Sequence, residues 1–313
     1  MKPLLLAFFA FYGFVTARPA SGQDSMYLFS YFINNGEDGL HLAASKDGYL
    51  WQEIIKNKSW IKPELSKDKL MRDPCIIPGA RGGYHMVWTV SWNDKGIGYA
   101  FSENLIDWSP QLYIPVMQHE DSALNCWAPE ITYDEKKKKY IIYWATTIPG
   151  RFSAGSNAGD SRYNHRMYYT TTQDFKKFSP AKLLFNPGFN VIDATIFKVA
   201  KGKWGMVLKD ETRNPPQKNL KLAFSRSLYK GWKMPGPPVT GKEWAEGPSI
   251  IKLKDRWLIY FDKYMDKKYG AISSNDLTQW QDVSERISFP AGTRHGTVFK
   301  VPLAVYEKLV QAQ

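Results

Sequence analysis

The sequence predicts an all-β chain folded as a five-bladed β-propeller, and three observations carry that expectation. The first is an echo. The stretch AFSENLIDW (100–108) has counterparts in AASKDGYLW ending at Trp51, TTTQDFKKF ending at Phe178, AFSRSLYKGW ending at Trp232 and AISSNDLTQW ending at Trp280. Each runs from small residues through Ser or Thr into a polar turn and an aromatic, at intervals of roughly fifty residues, a period typical of solenoids and propellers. The second is the strand pattern between echoes. YHMVWTVSW, KYIIYWATT, KWGMVLKD and RWLIYFDKY are rich in β-branched and aromatic residues and bounded by turn formers, and no long stretch keeps a helical period.

The third observation concerns what precedes those strands. Short apolar segments with polar starts stand at RDPCIIP (72–78), APEITYD (128–134), IDATIFKV (192–199) and EGPSIIKL (246–253). A fifth, RHGTVFKV (294–301), has no outer strands after it, whereas the N-terminal strands YLFSYFI and GLHLAAS have no inner strand before them. The two incomplete sets complete each other. The last blade is then closed between the N- and C-terminal strands, which seals the ring and removes open sheet edges. An irregular β-sandwich also spaces its strands by turns, but gives no reason for these complementary ends.

The first 22 residues read as a signal peptide, leaving 23–313 as a single propeller domain. Lys2 precedes an apolar run from Pro3 to about Ala17, and small residues follow at Ala20, Ser21 and Gly22. That run is shorter than the ~20 apolar residues a permanent span requires, and a buried N-terminal strand or a membrane anchor is the other reading. Without residues 1–22 the chain has 291 residues and loses Lys2 and Arg18, so its charge falls from +12 to +10. No nucleic-acid module accompanies this basic balance, and the Lys136–Lys139 run fits a solvated hairpin turn. The expectation is an exported monomer, periplasmic or extracellular, with no nucleic-acid partner and no membrane contact after cleavage. The cysteines, Cys75 and Cys126, flank inner strands and are expected to be free thiols; a cysteine-type zinc site is excluded.

Strand alternation places all five inner-strand starts on one face around the axis. Arg72, Asp73, Glu130, Asp193, Glu246 and His295 gather there. The loops INNGEDG, SWNDKG, KDETRNPPQKN, DKYMDKK and the long segment 146–166 open on the same face, the last as a candidate pocket wall. Clustered, desolvated carboxylates repel and some are pushed up in pKa, which acid–base chemistry needs. Glycoside hydrolysis asks for one protonated carboxyl and one ionised one. Glu130 is expected to tie neighbouring segments by hydrogen bonds. Trp127, Trp92 and Phe152 are candidate sugar platforms, although Trp127 fits core packing equally well. Arg213 and Arg294 are candidates for binding hydroxyls or a carboxylate, or for pairing with Asp210, Glu211 or the axial acids.

At these residues the chain resembles glycoside hydrolase family 43, and the resemblance follows blade order over nearly the whole mature chain. RDPCII is similar to the first-blade motif, which gives Asp73 the part of general base; CWAPEI is similar to the second-blade motif. VIDATIF implies that Asp193 tunes and orients the acid, and AEGPSII implies that Glu246 is the general acid. RHGTVFKV resembles the fifth-blade segment, where His295 implies an axial group that sometimes neighbours a cation, calcium or sodium. No cofactor is implied for the chemistry. Ala194 departs from the family's usual proline. The resemblance implies an inverting hydrolase releasing terminal α-L-arabinofuranose or β-D-xylose from plant-type polysaccharide or oligosaccharide. Galactan- or galactofuranose-directed hydrolysis and a non-catalytic sugar-binding propeller are the alternatives. A family 32 fructosidase-like reading lacks its Asn-Asp-Pro-Asn segment here.

Overall fold

The computed structural model describes residues 24–153 and 163–312, so the expected signal peptide and the middle of the 146–166 loop lie outside the described residues. Five antiparallel sheets form the ring. Blade 5 is the shared one: its innermost strand β19 (Thr297–Pro302) pairs with β1 (Ser25–Tyr31), followed by β2 (His41–Ser45) and β3 (Gln52–Glu53). The remaining blades follow chain order. Blade 1 runs from β4 (Arg72–Pro78) through β5 (Tyr84–Thr89) and β6 (Ile97–Ser102) to β7 (Leu112–Ile114), and blade 2 from β8 (Trp127–Asp134) through β9 (Lys139–Thr146) and β10 (Arg166–Thr172) to β11 (Lys182–Phe185). Blade 3 has three strands, β12 (Val191–Ala200), β13 (Lys203–Asp210) and β14 (Asn219–Ser225). Blade 4 comprises β15 (Glu246–Leu253), β16 (Arg256–Lys263), β17 (Lys268–Ser274) and β18 (Gln281–Asp282).

The echo now has a physical cause. In AFSENLIDW, Ser102 Oγ accepts the amides of Asn104 and Leu105 (3.2 and 2.7 Å), and Asn104 Oδ1 accepts those of Ile106 and Asp107 (both 2.9 Å). Ser45 with Asp47, Thr172 with Asp174 and Ser274 with Asp276 repeat this double cap. A hydroxyl followed two residues later by Asp or Asn satisfies amides that no ladder reaches, so the pattern recurs at the end of the third strand in four of the five blades.

Apolar faces of adjacent blades pack together. Trp144, for instance, is fully buried in a cluster joining blades 1 and 2 with Val87, Ile97 and Ile142. Truncation of such a side chain to Ala costs ~3–5 kcal/mol. Cys75 and Cys126 are both free and buried. A helix absent from the sequence reading, α1 (Leu303–Gln311), follows β19 and buries Leu309 beside Met26 and Leu28. Among the described residues no helix is long and apolar enough to cross a membrane.

Candidate active site

The inner strands share one irregularity that builds the site. The pairing register skips a residue between Arg72 and Cys75, Trp127 and Glu130, Ile192 and Thr195, and Glu246 and Ser249. Each skip is a β-bulge, the kind of kink that re-aims side chains. The second residue of each bulge has positive φ: Asp73 (53°), Ala128 (46°), Asp193 (50°) and Gly247 (56°). Pro74, Pro129 and Pro248 fall where the ladder is already interrupted, so their missing N–H costs no strand pairing.

These bulges sort the axial residues into three rungs. The outer rung holds Arg72, Trp127, Ile192 and Glu246, and by sequence alignment Arg294. The middle rung holds Asp73, Ala128, Asp193 and Gly247, aligned with His295. The inner rung holds Cys75, Glu130, Thr195 and Ser249, aligned with Thr297. Glu130 thus lies deeper than the other acids. It accepts hydrogen bonds from Thr195 (2.8 Å), Tyr143 (3.2 Å) and Thr297 (3.4 Å), tying blades 2, 3 and 5 together as expected. Burial pushes its carboxyl up to about 7, against the pull of these donors and of His295.

The middle rung is a charge triangle. His295 Nδ1 stands 3.2 Å from Asp73 Oδ1, and Thr89 Oγ1 donates to Asp73 Oδ2 at 2.8 Å. Burial would raise the Asp73 carboxyl, but the His295 hydrogen bond and charge, with Arg72 and Thr89, hold it below its ordinary value. Asp193 Oδ2 accepts the Gly247 amide at 3.0 Å. Burial lifts Asp193 to about 6 even though His295 and Lys209 oppose it, and Glu246 and Asp73 add repulsion. Burial alone would lower His295; its bond to Asp73 and the charges of Asp193, Asp73 and Glu130 raise it to about 9, so the axis carries an imidazolium. Gly247 is required here twice over. Its φ is positive, and an added Cβ would lie 2.5 Å from His295 Cγ.

Glu246 sits above this triangle between two cations. Its Oε2 is 3.0 Å from Lys209 Nζ and its Oε1 is 3.1 Å from Arg294 Nη2. Burial opposes ionisation, yet Lys209, Arg294 and His295 together keep Glu246 below the usual carboxylate range. Lys209 is 2% exposed and also pairs with Glu211 Oε2 at 2.7 Å; Glu211 in turn binds Lys218. Arg294 Nε donates to Asp262 Oδ2 at 2.6 Å, and burial with the nearby Glu246 lifts Asp262 to about 6 despite that bond. Lys209 and Asp262 were missed from the sequence. They hold equivalent places, opposite Ile192 and Glu246 on the second strands of blades 3 and 4. The only signal was a charge closing an otherwise apolar run.

The aromatic candidates divide. Trp127 is half-buried, donates its Nε1–H to the Trp92 carbonyl at 2.9 Å and meets the Trp92 ring edge-on at 5.4 Å. Trp92 is 40% exposed, with the Arg72 guanidinium 4.2 Å from its centroid. The pair forms one wall beside Tyr163 and His165. Phe152 is half-buried under Arg166, whose guanidinium is 4.7 Å from its ring. Arg213 is exposed in the loop after β13. Asp210 binds Lys221 at 2.6 Å, and Glu211 binds Lys209 and Lys218. Among the described residues no group of three or more His, Cys, Asp or Glu could hold a metal ion, and His295 itself brings positive charge to the axis.

A five-bladed propeller that gathers Asp73, Asp193 and Glu246 at the starts of its inner strands has the carboxyl equipment that glycoside hydrolysis asks for. The chain belongs to the glycoside hydrolases related to family 43: the profile described as "Probable glycosyl hydrolase domain" matches residues 24–307. Solved structures agree in fold. A family 43 β-1,3-galactosidase with galactodeoxynojirimycin is 14% identical with a TM-score of 0.54, covering 74% of this chain and 83% of its own. An α-L-arabinofuranosidase from Lactobacillus brevis is 19% identical with a TM-score of 0.51, covering 68% and 72%. An exo-β-1,3-galactanase from Clostridium thermocellum is 12% identical with a TM-score of 0.52, covering 70% of this chain and 50% of its own. No curated protein matches the sequence.

Proposed function

We propose that the chain is an exported exo-acting glycosidase that removes terminal α-L-arabinofuranose or β-D-xylose from plant-type polysaccharide or oligosaccharide, with inversion. The observation that carries the chemistry is the division of protonation between Asp73 and the Asp193–Glu246 pair. Asp73 is held ionised, as a base that activates water must be. One proton on the pair suffices for the acid. In the free site it favours Asp193, because Lys209 and Arg294 hold Glu246 as a carboxylate. A sugar that draws Arg294 away and excludes water raises Glu246, which then delivers the proton to the leaving oxygen. The exposed Trp92 ring, braced edge-on by Trp127, offers a flat face on which a sugar stacks. The apolar run and small residues of 1–22 support export.

Galactose-directed hydrolysis is the second reading, since the fold neighbours include β-1,3-galactan enzymes as well as an arabinofuranosidase. A panel of nitrophenyl glycosides decides between them: release from the arabinofuranoside or xyloside supports the first reading, and release from the galactoside alone replaces it. Glu246→Ala tests the acid. It should lower turnover of an unactivated oligosaccharide by ~10²–10⁴-fold while sparing much of the rate on a nitrophenyl leaving group. Near-normal turnover of the oligosaccharide removes Glu246 from that role.

A further inference from the structure

We infer that a groove at the opposite end of blade 3 from the active site binds an acidic sugar chain, a uronate-bearing polysaccharide. The groove lies where β12 turns into β13 and where β14 ends, about seven residues along β12 from Asp193 and so roughly 20 Å from it. Its volume is about 1110 Å³, and Lys201, Lys203, Phe224, Arg226, Lys230 and Lys233 are among its walls. Those walls include five cations and no carboxylate. All five cationic side chains are exposed, and among the described residues none of them forms an ion pair. A second cavity of about 630 Å³ shares Lys201 and Arg226 with it and adds Trp204, but its far side carries Asp134 and Glu135, so the unpaired positive charge belongs to the first groove.

The repeat shows that this charge is not forced by the fold. In the other four copies the turn is capped by Asp47, Asn104, Asp174 or Asp276, so three of the four bring a carboxylate to this position. Here Ser227 takes the place. Its hydroxyl accepts the Tyr229 amide at 3.2 Å, and Ser225 Oγ accepts the Ser227 amide at 3.0 Å, so the turn survives without the acid. Arg226 stands between them. Phe224 supplies a half-buried ring with Lys203 Nζ 5.5 Å from its centroid. A ring for the C–H face of a sugar, rimmed by cations for its carboxylates, matches an acidic sugar better than a bare phosphate backbone. The choice of sugar over nucleic acid rests on the glycosidase reading; the binding does not require catalysis.

The test is affinity electrophoresis of the whole protein in gels holding polygalacturonate, neutral galactan or duplex DNA, at low and physiological salt. Polygalacturonate is expected to retard the protein, more at low salt, because exposed charge attraction is screened. The triple variant Lys201→Ser, Lys230→Ser, Lys233→Ser should weaken that retardation at least tenfold, and Phe224→Ala several-fold with Phe224→Tyr close to the parent. A control removing three exposed charges elsewhere, Lys56→Ser, Lys62→Ser, Lys67→Ser, should keep it. No retardation by polygalacturonate, an unaffected triple variant, equal loss in the control, or tighter retention by DNA each overturns the proposal. Turnover of a nitrophenyl glycoside by the triple variant should match the parent, which separates this site from the catalytic one.

Discussion

His295 Nδ1 lies 3.2 Å from Asp73 Oδ1, so the first inner strand of the chain and the last are joined at the axis by an ion pair. The pair does two jobs at once. It keeps Asp73 ionised, and it places an imidazolium among Asp73, Asp193 and Glu130, whose mutual repulsion would otherwise open the middle of the ring.

Stability should therefore fall as the imidazolium loses its proton. The folded value of His295, about 9, exceeds the ordinary 6.5, so its contribution is complete below the ordinary value and is lost as pH rises through the folded one. The shift sets an upper limit of ~3 kcal/mol. Asp193 and Asp262, near 6, and Glu130, near 7, have largely titrated by pH ~7.5, where the comparison begins. Denaturant midpoints at about pH 7.5 and 9.5 should drop in the parent and differ much less in His295→Gln. An equal drop in both would assign the loss to other groups.

The motif residues were legible because the middle rung demands special backbone. Asp-Pro at 73, Asp-Ala at 193 and Glu-Gly-Pro at 246 mark bulges, and the paired incomplete ends marked the ring closure. What stayed hidden depends on register. Lys209 and Asp262 read as charges at strand ends facing solvent, and only the extra residue in each neighbouring strand turns them towards Glu246. Glu130 was grouped with the other acids although its strand begins three residues earlier, at Trp127, which puts Glu130 on the inner rung. The helix α1 has nine residues, too few for a periodic signal, and forms against β1 and β19 rather than by its own propensity.

Lys209→Met should move the alkaline limb of the pH–rate profile to higher pH. Removing this cation leaves Glu246 with Arg294 and His295 and frees Asp193 from one attraction, so both carboxyls hold their proton further up the scale. The variant should also lose ~3–5 kcal/mol of stability, because Glu211 and Glu246 keep buried charge with one partner fewer. The readout is the turnover of an unactivated oligosaccharide across pH. A lower rate with an unmoved alkaline limb would make Lys209 a structural cation only.

Residues 24–54 should be indispensable although they carry none of the axial acids. β1 pairs with β19 from Ser25 opposite Pro302 to Ser30 opposite Thr297, and Ser30 Oγ donates to the Pro74 carbonyl at 2.6 Å, beside Asp73. A chain starting at Trp60 leaves β19 without a neighbour and exposes its edge. Expression of that shortened chain should give aggregate or unfolded protein by gel filtration and circular dichroism. A soluble, active product would show that blade 5 closes the ring without these strands.

The first product released should have inverted anomeric configuration. Asp73 belongs to blade 1 and Glu246 to blade 4, and the start of blade 5 stands between them. Two consecutive residues of that start hold them apart: His295 binds Asp73, and Arg294 binds Glu246. Carboxyls on either side of an Arg–His pair leave room for a water between base and sugar, the arrangement of inverting glycosidases at ~6.5–9.5 Å. A retaining pair sits at ~5–5.5 Å, where the nucleophile reaches carbon directly. Proton NMR of the anomeric signal in the first minutes of turnover, before mutarotation, reads the outcome. A retained product would mean that Asp73 attacks the sugar itself and that the wedge of Arg294 and His295 gives way when substrate binds.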